Sequence, residues 1–255
     1  MNDARKQQLA QAAQLFLEAR RTHTPIADLP AELAPQSLDE AAFIHSAMAA
    51  ALGPIGGWKI GAGSLEATPF FAPMPVAWMV PSGTILSGPR FRYRVLEAEI
   101  AFLVGKNLPA RATPYSREEV VSAIASCHPI IEELESALID PKAVANFTSL
   151  ADLQMHGGFI YGPAVANWQS IDFHRETVKL TVDGTIEVER TGSNTSGDLM
   201  RLLPFLANEG AVRTGGIKAG QWITTGSWTG NTPVRVGSHA EAVFTHAGRV
   251  SLRFE

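Results

Sequence analysis

Val95-Leu96-Glu97-Ala98-Glu99-Ile100-Ala101-Phe102-Leu103-Val104 places two carboxylates one residue apart inside an apolar run. A period of two reads as a β-strand. Glu97 and Glu99 then leave one face together, while Leu96, Ala98, Ile100, Phe102 and Val104 fill the other. Like charges side by side repel each other and resist desolvation. A divalent cation is the simplest compensation, and an exposed edge strand with a wet acidic face is the plain alternative. A third carboxylate tips the balance. Pro129-Ile130-Ile131-Glu132-Glu133-Leu134-Glu135 is a second apolar strand that carries acids. Three carboxylates and water make a hard, oxygen-only site, suited to Mg²⁺, Mn²⁺ or Ca²⁺ rather than zinc. Spacing does not choose among Glu132, Glu133 and Glu135, but a regular strand points Glu132 and Glu133 to opposite faces.

Outward from these strands the chain reads as α+β. Residues 3–21 have the apolar spacing of an amphipathic helix, with Leu9, Ala12, Ala13, Phe16 and Leu17 on one face. Ser37-Leu38-Asp39-Glu40 is a capping box opening a helix to about Leu52, where Gly53-Pro54 stops it. From Gly56 onward, Gly-rich turns separate short apolar runs, the first at Gly57-Trp58-Lys59-Ile60-Gly61. A second capping box, Ser116 to Glu119, predicts a short helix through about Ser126. Val178–Val182 and Thr185–Glu189 flank Asp183-Gly184, a two-residue hairpin signal. A helix is expected over 198–208, a strand over 221–225, and a closing hairpin from 242–246 and 249–254. The expected organisation is a helical segment, 1–55, packed on a β-rich catalytic domain, 56–255, as one structural unit.

The 255 residues carry a net charge of −4, which gives no electrostatic reason to expect nucleic acid or an anionic membrane as a partner. One cysteine, Cys127, forbids an internal disulfide. No run approaches the roughly 18 apolar residues of a membrane span. A soluble cytoplasmic protein is the expectation.

Lys59, between Trp58 and Ile60, is either a strand-edge lysine or a cation that meets a substrate carboxylate or moves a proton. Thr224-Thr225-Gly226-Ser227-Trp228-Thr229-Gly230 ends a strand in a turn rich in hydroxyls and backbone N–H groups; by itself it reads as an ordinary tight turn, and in company with the acids it suits an anion. Asp152 and His156 precede Gly157-Gly158-Phe159. Cys127 and His128 are adjacent, but no zinc-like spacing surrounds them.

Taken in order, Gly57-Trp58-Lys59-Ile60-Gly61, Glu97-Ala98-Glu99, Pro129-Ile130-Ile131-Glu132, Asp152 with Gly157-Gly158-Phe159, and Thr225-Gly226-Ser227-Trp228-Thr229-Gly230 resemble the 2-keto-4-pentenoate hydratase family. That family lies in the fumarylacetoacetate hydrolase superfamily and includes the 4-oxalocrotonate decarboxylases. The resemblance implies N-terminal helices on the superfamily's mixed β-roll, and Mg²⁺ or Mn²⁺ held by Glu97, Glu99 and Glu132. It implies Lys59 beside the substrate, Thr225, Gly226 and Ser227 at the substrate carboxylate, and a homo-oligomer. The implied reaction is hydration of a 2-hydroxy-2,4-dienoate, or of its 2-keto-4-enoate tautomer, in a catabolic pathway. A decarboxylase or C–C hydrolase on a 2-keto or 2,4-diketo acid, or a non-catalytic keto-acid-binding paralogue, is the alternative.

The chain departs from the family pattern in three places. No acid precedes Met79 in Pro73-Met74-Pro75-Val76-Ala77-Trp78. Ala137 stands where the family has arginine after the third ligand. Leu153-Gln154-Met155-His156 replaces a serine-rich stretch. These departures are expected around the distal end of the substrate and its proton-transfer groups. Lys59, Asp152 and His156 are the acid/base candidates, with His156 able to replace a missing acid.

Overall fold

The structure, a computed structural model, describes residues 1–255. Two helices open the chain, α1 (Asp3–Thr22) and α2 (Leu38–Leu52). Strands β1 (Ile55–Gly61), β2 (Phe70–Pro75), β3 (Met79–Pro81), β4 (Thr84–Leu86), β5 (Val95–Val104) and β6 (Leu108–Pro109) follow. Then come α3 (Arg117–Ser122), β7 (Ile124–Leu134), α4 (Asn146–Ala151), β8 (His156–Tyr161), β9 (Thr177–Val182) and β10 (Thr185–Thr191). The chain closes with α5 (Leu202–Phe205), β11 (Gly216–Ile217), β12 (Trp222–Thr224), β13 (Thr232–Pro233), β14 (His239–Phe244) and β15 (Gly248–Phe254).

The larger sheet runs β2-β1-β12-β5-β7-β8-β3, with β13 added to β5. It is mixed: β1 pairs β12 in parallel and β3 pairs β8 in parallel, whereas β5 and β7 are antiparallel. A second sheet runs β10-β9-β14-β15-β4. The apolar face of β5, with Leu96, Ala98, Ile100 and Phe102, packs with Val178, Leu180, Ala242 and Leu252 of the second sheet in one core. The opposite face of the large sheet therefore carries the acids. A separate core joins the helices to that side of the molecule: Leu9, Phe16, Ile44 and Met48 pack with Ala137, Leu138, Ala151 and Leu153.

The α+β architecture agrees with the sequence reading. Some elements differ in detail. The Ser116 capping box is complete, but its helix ends at Ser122 and β7 begins at Ile124, so the helix is shorter than expected. Only half of the Ser37 box forms. Ser37 accepts from Glu40 N, but the Glu40 carboxylate is taken by Arg5 and by Gln36 N. The expected helix over 198–208 is broken into 3₁₀, α and π turns from Leu199 to Thr214, with Pro204 inside it. Proline removes a donor and crowds the preceding turn, which disfavours a continuous helix there. Asp183 and Gly184 both take positive φ (52° and 83°), as a tight hairpin turn between twisted strands requires.

Candidate metal centre and substrate pocket

The register of β5 and β7 sets Glu97 directly opposite Glu132. Glu99 lies two residues along the same face of β5. One carboxylate oxygen from each of Glu97, Glu99 and Glu132 lies within 4.8 Å of the others. Glu99 and Glu132 are fully buried, and Glu97 is partly open to a pocket of about 400 Å³. The acids are thus on a shared inner face and not on a solvated edge.

Each acid has its own support. Thr224 Oγ1 and Gly226 N both donate to Glu99 Oε2. Lys59 Nζ lies 2.8 Å from Glu132 Oε1 and donates to Gln154 O at 2.9 Å. His156 Nδ1 lies 2.7 Å from the same Glu132 oxygen. Glu132 Oε2 has no partner. Ser227 stands beside Glu97 in the pocket lining, and its side chain favours the ionised form of that acid.

Burial and mutual repulsion push Glu97 up to about 7 and Glu99 well above the usual carboxylate range. Burial acts on Glu132 in the same direction, but Lys59 and His156 outweigh it and hold that carboxyl below its ordinary value. Burial opposes charge on Lys59 too, yet the three carboxylates together raise its pKa. Fully ionised, the three carboxylates and one ammonium would carry a formal charge of −2; a divalent cation would balance it and favour the ionised forms of Glu97 and Glu99 that burial now opposes. The cluster offers only oxygen atoms, one of them an orphaned buried Glu132 oxygen. This donor set fits a hard divalent ion.

The pocket is lined by Lys59, Glu97, Glu99, Gln154, Arg190 and Ser227 among others. Arg190, at the end of β10, is a cation that the sequence reading did not single out. It comes from a hairpin far from the acids in sequence, beyond both acid-bearing strands, and only the packing of the second sheet brings it here. Gly226 and Ser227 line the pocket as expected. Thr225 does not: it is buried and its hydroxyl donates to Ile100 O. Thr224, its neighbour, holds Glu99.

Asp152 and His156 also lie away from the pocket wall. Asp152 is fully buried in an ion pair with Arg20 (2.7 Å) and accepts from Ser136 Oγ and Ala137 N. It ties the helical layer to the sheet. His156 is fully buried behind Glu132, its Nε2 has no partner, and its ring lies 5.8 Å from that of Trp78. Trp78 in turn lies under the guanidinium groups of Arg20 and Arg90. Ala137 is buried in the helical core. None of Trp78, Ala137 and His156 lines the acid-lined pocket, and the expectation that they surround the substrate's distal end is corrected: Ala137 and His156 are buried in other packing, and the half-buried Trp78 stacks with Arg20 and Arg90 away from it.

Leu153, Gln154 and Met155 have consecutive positive φ values of 52°, 51° and 62°. Left-handed backbone is costly for residues with a Cβ, on the order of 1–3 kcal/mol each. The strained turn aims Gln154 O at Lys59, while Met155 O accepts from Glu135 N. Cys127 is buried, and burial pushes its thiol up to about 12, so it is an inert core residue.

The chain matches no protein-family profile. It is 27% identical over 158 residues to 2-hydroxyhexa-2,4-dienoate hydratase of Comamonas testosteroni; the match covers 62% of this chain and 59% of that relative, so it spans less than two thirds of the relative. It is 25% identical to 4-oxalocrotonate decarboxylase of Pseudomonas putida, over 73% of this chain and 70% of the other. The solved structure of 4-oxalocrotonate decarboxylase from Pseudomonas putida G7, complexed with magnesium and adipate, superposes with a TM-score of 0.85 over 98% of both chains at 23% identity. The fold recurs in solved structures of the fumarylacetoacetate hydrolase superfamily. The resemblance read from the motifs and the expected fold class are both borne out.

Proposed function

We propose that this chain is a metal-dependent enzyme that hydrates a 2-hydroxy-2,4-dienoate or its 2-keto-4-enoate tautomer. The observation that carries this reading is the convergence of Glu97, Glu99 and Glu132 beside Lys59 at the base of one pocket. Glu97, Glu99 and Glu132 would hold Mg²⁺ or Mn²⁺. When bound, the cation supplies a Lewis acid that stabilises negative charge on the C2 oxygen of the substrate.

The chain's own groups do the rest. Thr224 and Gly226 N fix Glu99, and His156 Nδ1 fixes Glu132, so that both carboxylates are oriented before any ligand arrives. Lys59 Nζ, anchored between Glu132 and Gln154 O, keeps its proton at rest and faces the pocket. It donates a hydrogen bond to the substrate and holds or returns the proton that moves during ketonisation. Arg190 and the Ser227 hydroxyl, in the lining of the same pocket, meet the substrate carboxylate. Asp152 acts through Arg20 on the position of α1, and His156 acts through Glu132; both are positioning residues.

Decarboxylation of a 2-keto acid is the second reading, favoured by the likeness to 4-oxalocrotonate decarboxylases in sequence and fold. The same electron sink serves it. Incubation of the Mg²⁺-loaded protein with a panel of 2-hydroxy-dienoates and 2-keto acids, followed by product identification, tests the choice. A 4-hydroxy-2-oxo acid formed without CO₂ is expected. Release of CO₂ would transfer the reading to decarboxylation, and two carbon fragments would transfer it to hydrolysis.

A further inference from the structure

Since Trp78, Ala137 and His156 are turned away from the pocket, another wall must meet the far end of the substrate. The pocket that holds the acids shares Phe70, Leu150 and Gln154 with a second cavity of about 560 Å³. Gln154 stands at the junction: its carbonyl oxygen takes Lys59 Nζ in the first cavity, and its residue also lines the second. We propose that this second cavity is the tail subsite of the active site and selects substrates whose distal substituent is bulky, apolar and uncharged, an aryl group above all. The inference rests on the keto-acid reading given above.

Three observations support it. Half of the lining is apolar, with Phe70, Phe71 and Phe205 joined by Ala42 and Leu150. A planar ring gains most from walls of that kind. The cavity is far larger than a methyl or vinyl tail requires, and it borders the acid-lined pocket through the shared Phe70, Leu150 and Gln154. Its charges exclude a second carboxylate. Arg213, its one cationic side chain at neutral pH, is already paired with Asp39 at 2.8 Å, and Glu209 adds a negative charge at the rim. His45, also in the lining, is buried and uncharged, with Nδ1 unpartnered and its ring edge-on to Phe71 at 5.7 Å. A dicarboxylate would find no free cation there, whereas an apolar ring would leave water for a matching surface.

Calorimetry on the full chain with saturating Mg²⁺ tests the proposal. Oxalate probes the chelating end alone. Pyruvate, 2-oxo-4-phenylbut-3-enoate and a 2-keto acid with a distal carboxylate probe the tail. The phenyl compound is expected to bind roughly 10- to 100-fold more tightly than pyruvate, the gain from burying one ring. Ala42→Phe, which fills the cavity from α2, should remove most of that advantage relative to oxalate. Val212→Trp narrows the same cavity from an exposed position and repeats the test should Ala42→Phe fail to fold. Oxalate binding without any phenyl preference, or a distal carboxylate that binds more tightly than phenyl, would overturn the tail subsite alone. Absence of oxalate binding would overturn the keto-acid reading and the tail subsite with it.

Discussion

Glu132 and Glu133 are neighbours in β7, both fully buried, and they meet opposite fates. Glu132 faces Glu97 and Glu99, where Lys59 and His156 favour its ionised form. Glu133 faces the other side of the sheet, where neither of its oxygens has a partner and burial, with Glu135 nearby, pushes it well above the ordinary carboxylate range. The same side chain thus has its charged form favoured on one face and its neutral form favoured on the other. Strand alternation sorts the two, and the company on each face decides what each can do.

The largest contrast should come from the pair itself. Glu132→Gln is expected to weaken Mg²⁺ binding by more than about 100-fold, a loss greater than that of an outer partner. Calorimetry reads it directly. His156→Gln removes only the support behind Glu132, so metal affinity should fall roughly 10- to 100-fold with the fold retained. If the role of His156 were proton transfer to substrate, turnover would fall while metal affinity held.

The Glu133 side can be broken without substituting Glu97, Glu99 or Glu132. A Cβ at Gly157 would meet Glu133 Oε2 at 2.4 Å and Glu135 Cβ at 2.6 Å. Gly157→Ala should therefore cost about 1–3 kcal/mol in urea unfolding, the range of core overpacking. Glu133→Gln replaces one neutral group by another of similar shape and should change stability by less than about 1 kcal/mol.

The helical layer offers a pH test. Burial holds His45 down at about 3, against an unfolded value near 6.5. The unfolded chain then binds a proton that the native state refuses, so the stability His45 contributes is whole above pH 6.5 and is lost as pH falls toward 3. The difference between wild type and His45→Gln should change by up to about 1.4 kcal/mol per pH unit in that window. A flat difference would place His45 in a solvated setting. The Arg5–Glu40 pair acts lower: with Glu40 at about 2, its contribution is lost only as pH falls from the ordinary carboxylate range toward that value.

The metal end of the site was legible because it lies on regular strands. Period-two alternation put Glu97 and Glu99 on one face and separated Glu132 from Glu133, and Asp183-Gly184 announced its hairpin. The opposite wall was not legible. Leu153, Gln154 and Met155 are residue types that rarely adopt left-handed backbone, so nothing in their identity signals the turn that aims Gln154 O at Lys59. Arg190 and the α2 residues around His45 arrive by tertiary packing, which no local pattern encodes. Thr224 and Thr225 are alike in sequence; only the end of β12 decides that Thr224 reaches Glu99 while Thr225 turns to Ile100 O.

The central claim is that Glu97, Glu99 and Glu132 together hold one divalent ion, and calorimetric titration of Mg²⁺ and Mn²⁺ into wild type and Glu99→Gln tests it most directly. One ion per chain is predicted for wild type, with affinity reduced at least 100-fold in Glu99→Gln. Equal binding by the two proteins, or no binding by wild type, would contradict it.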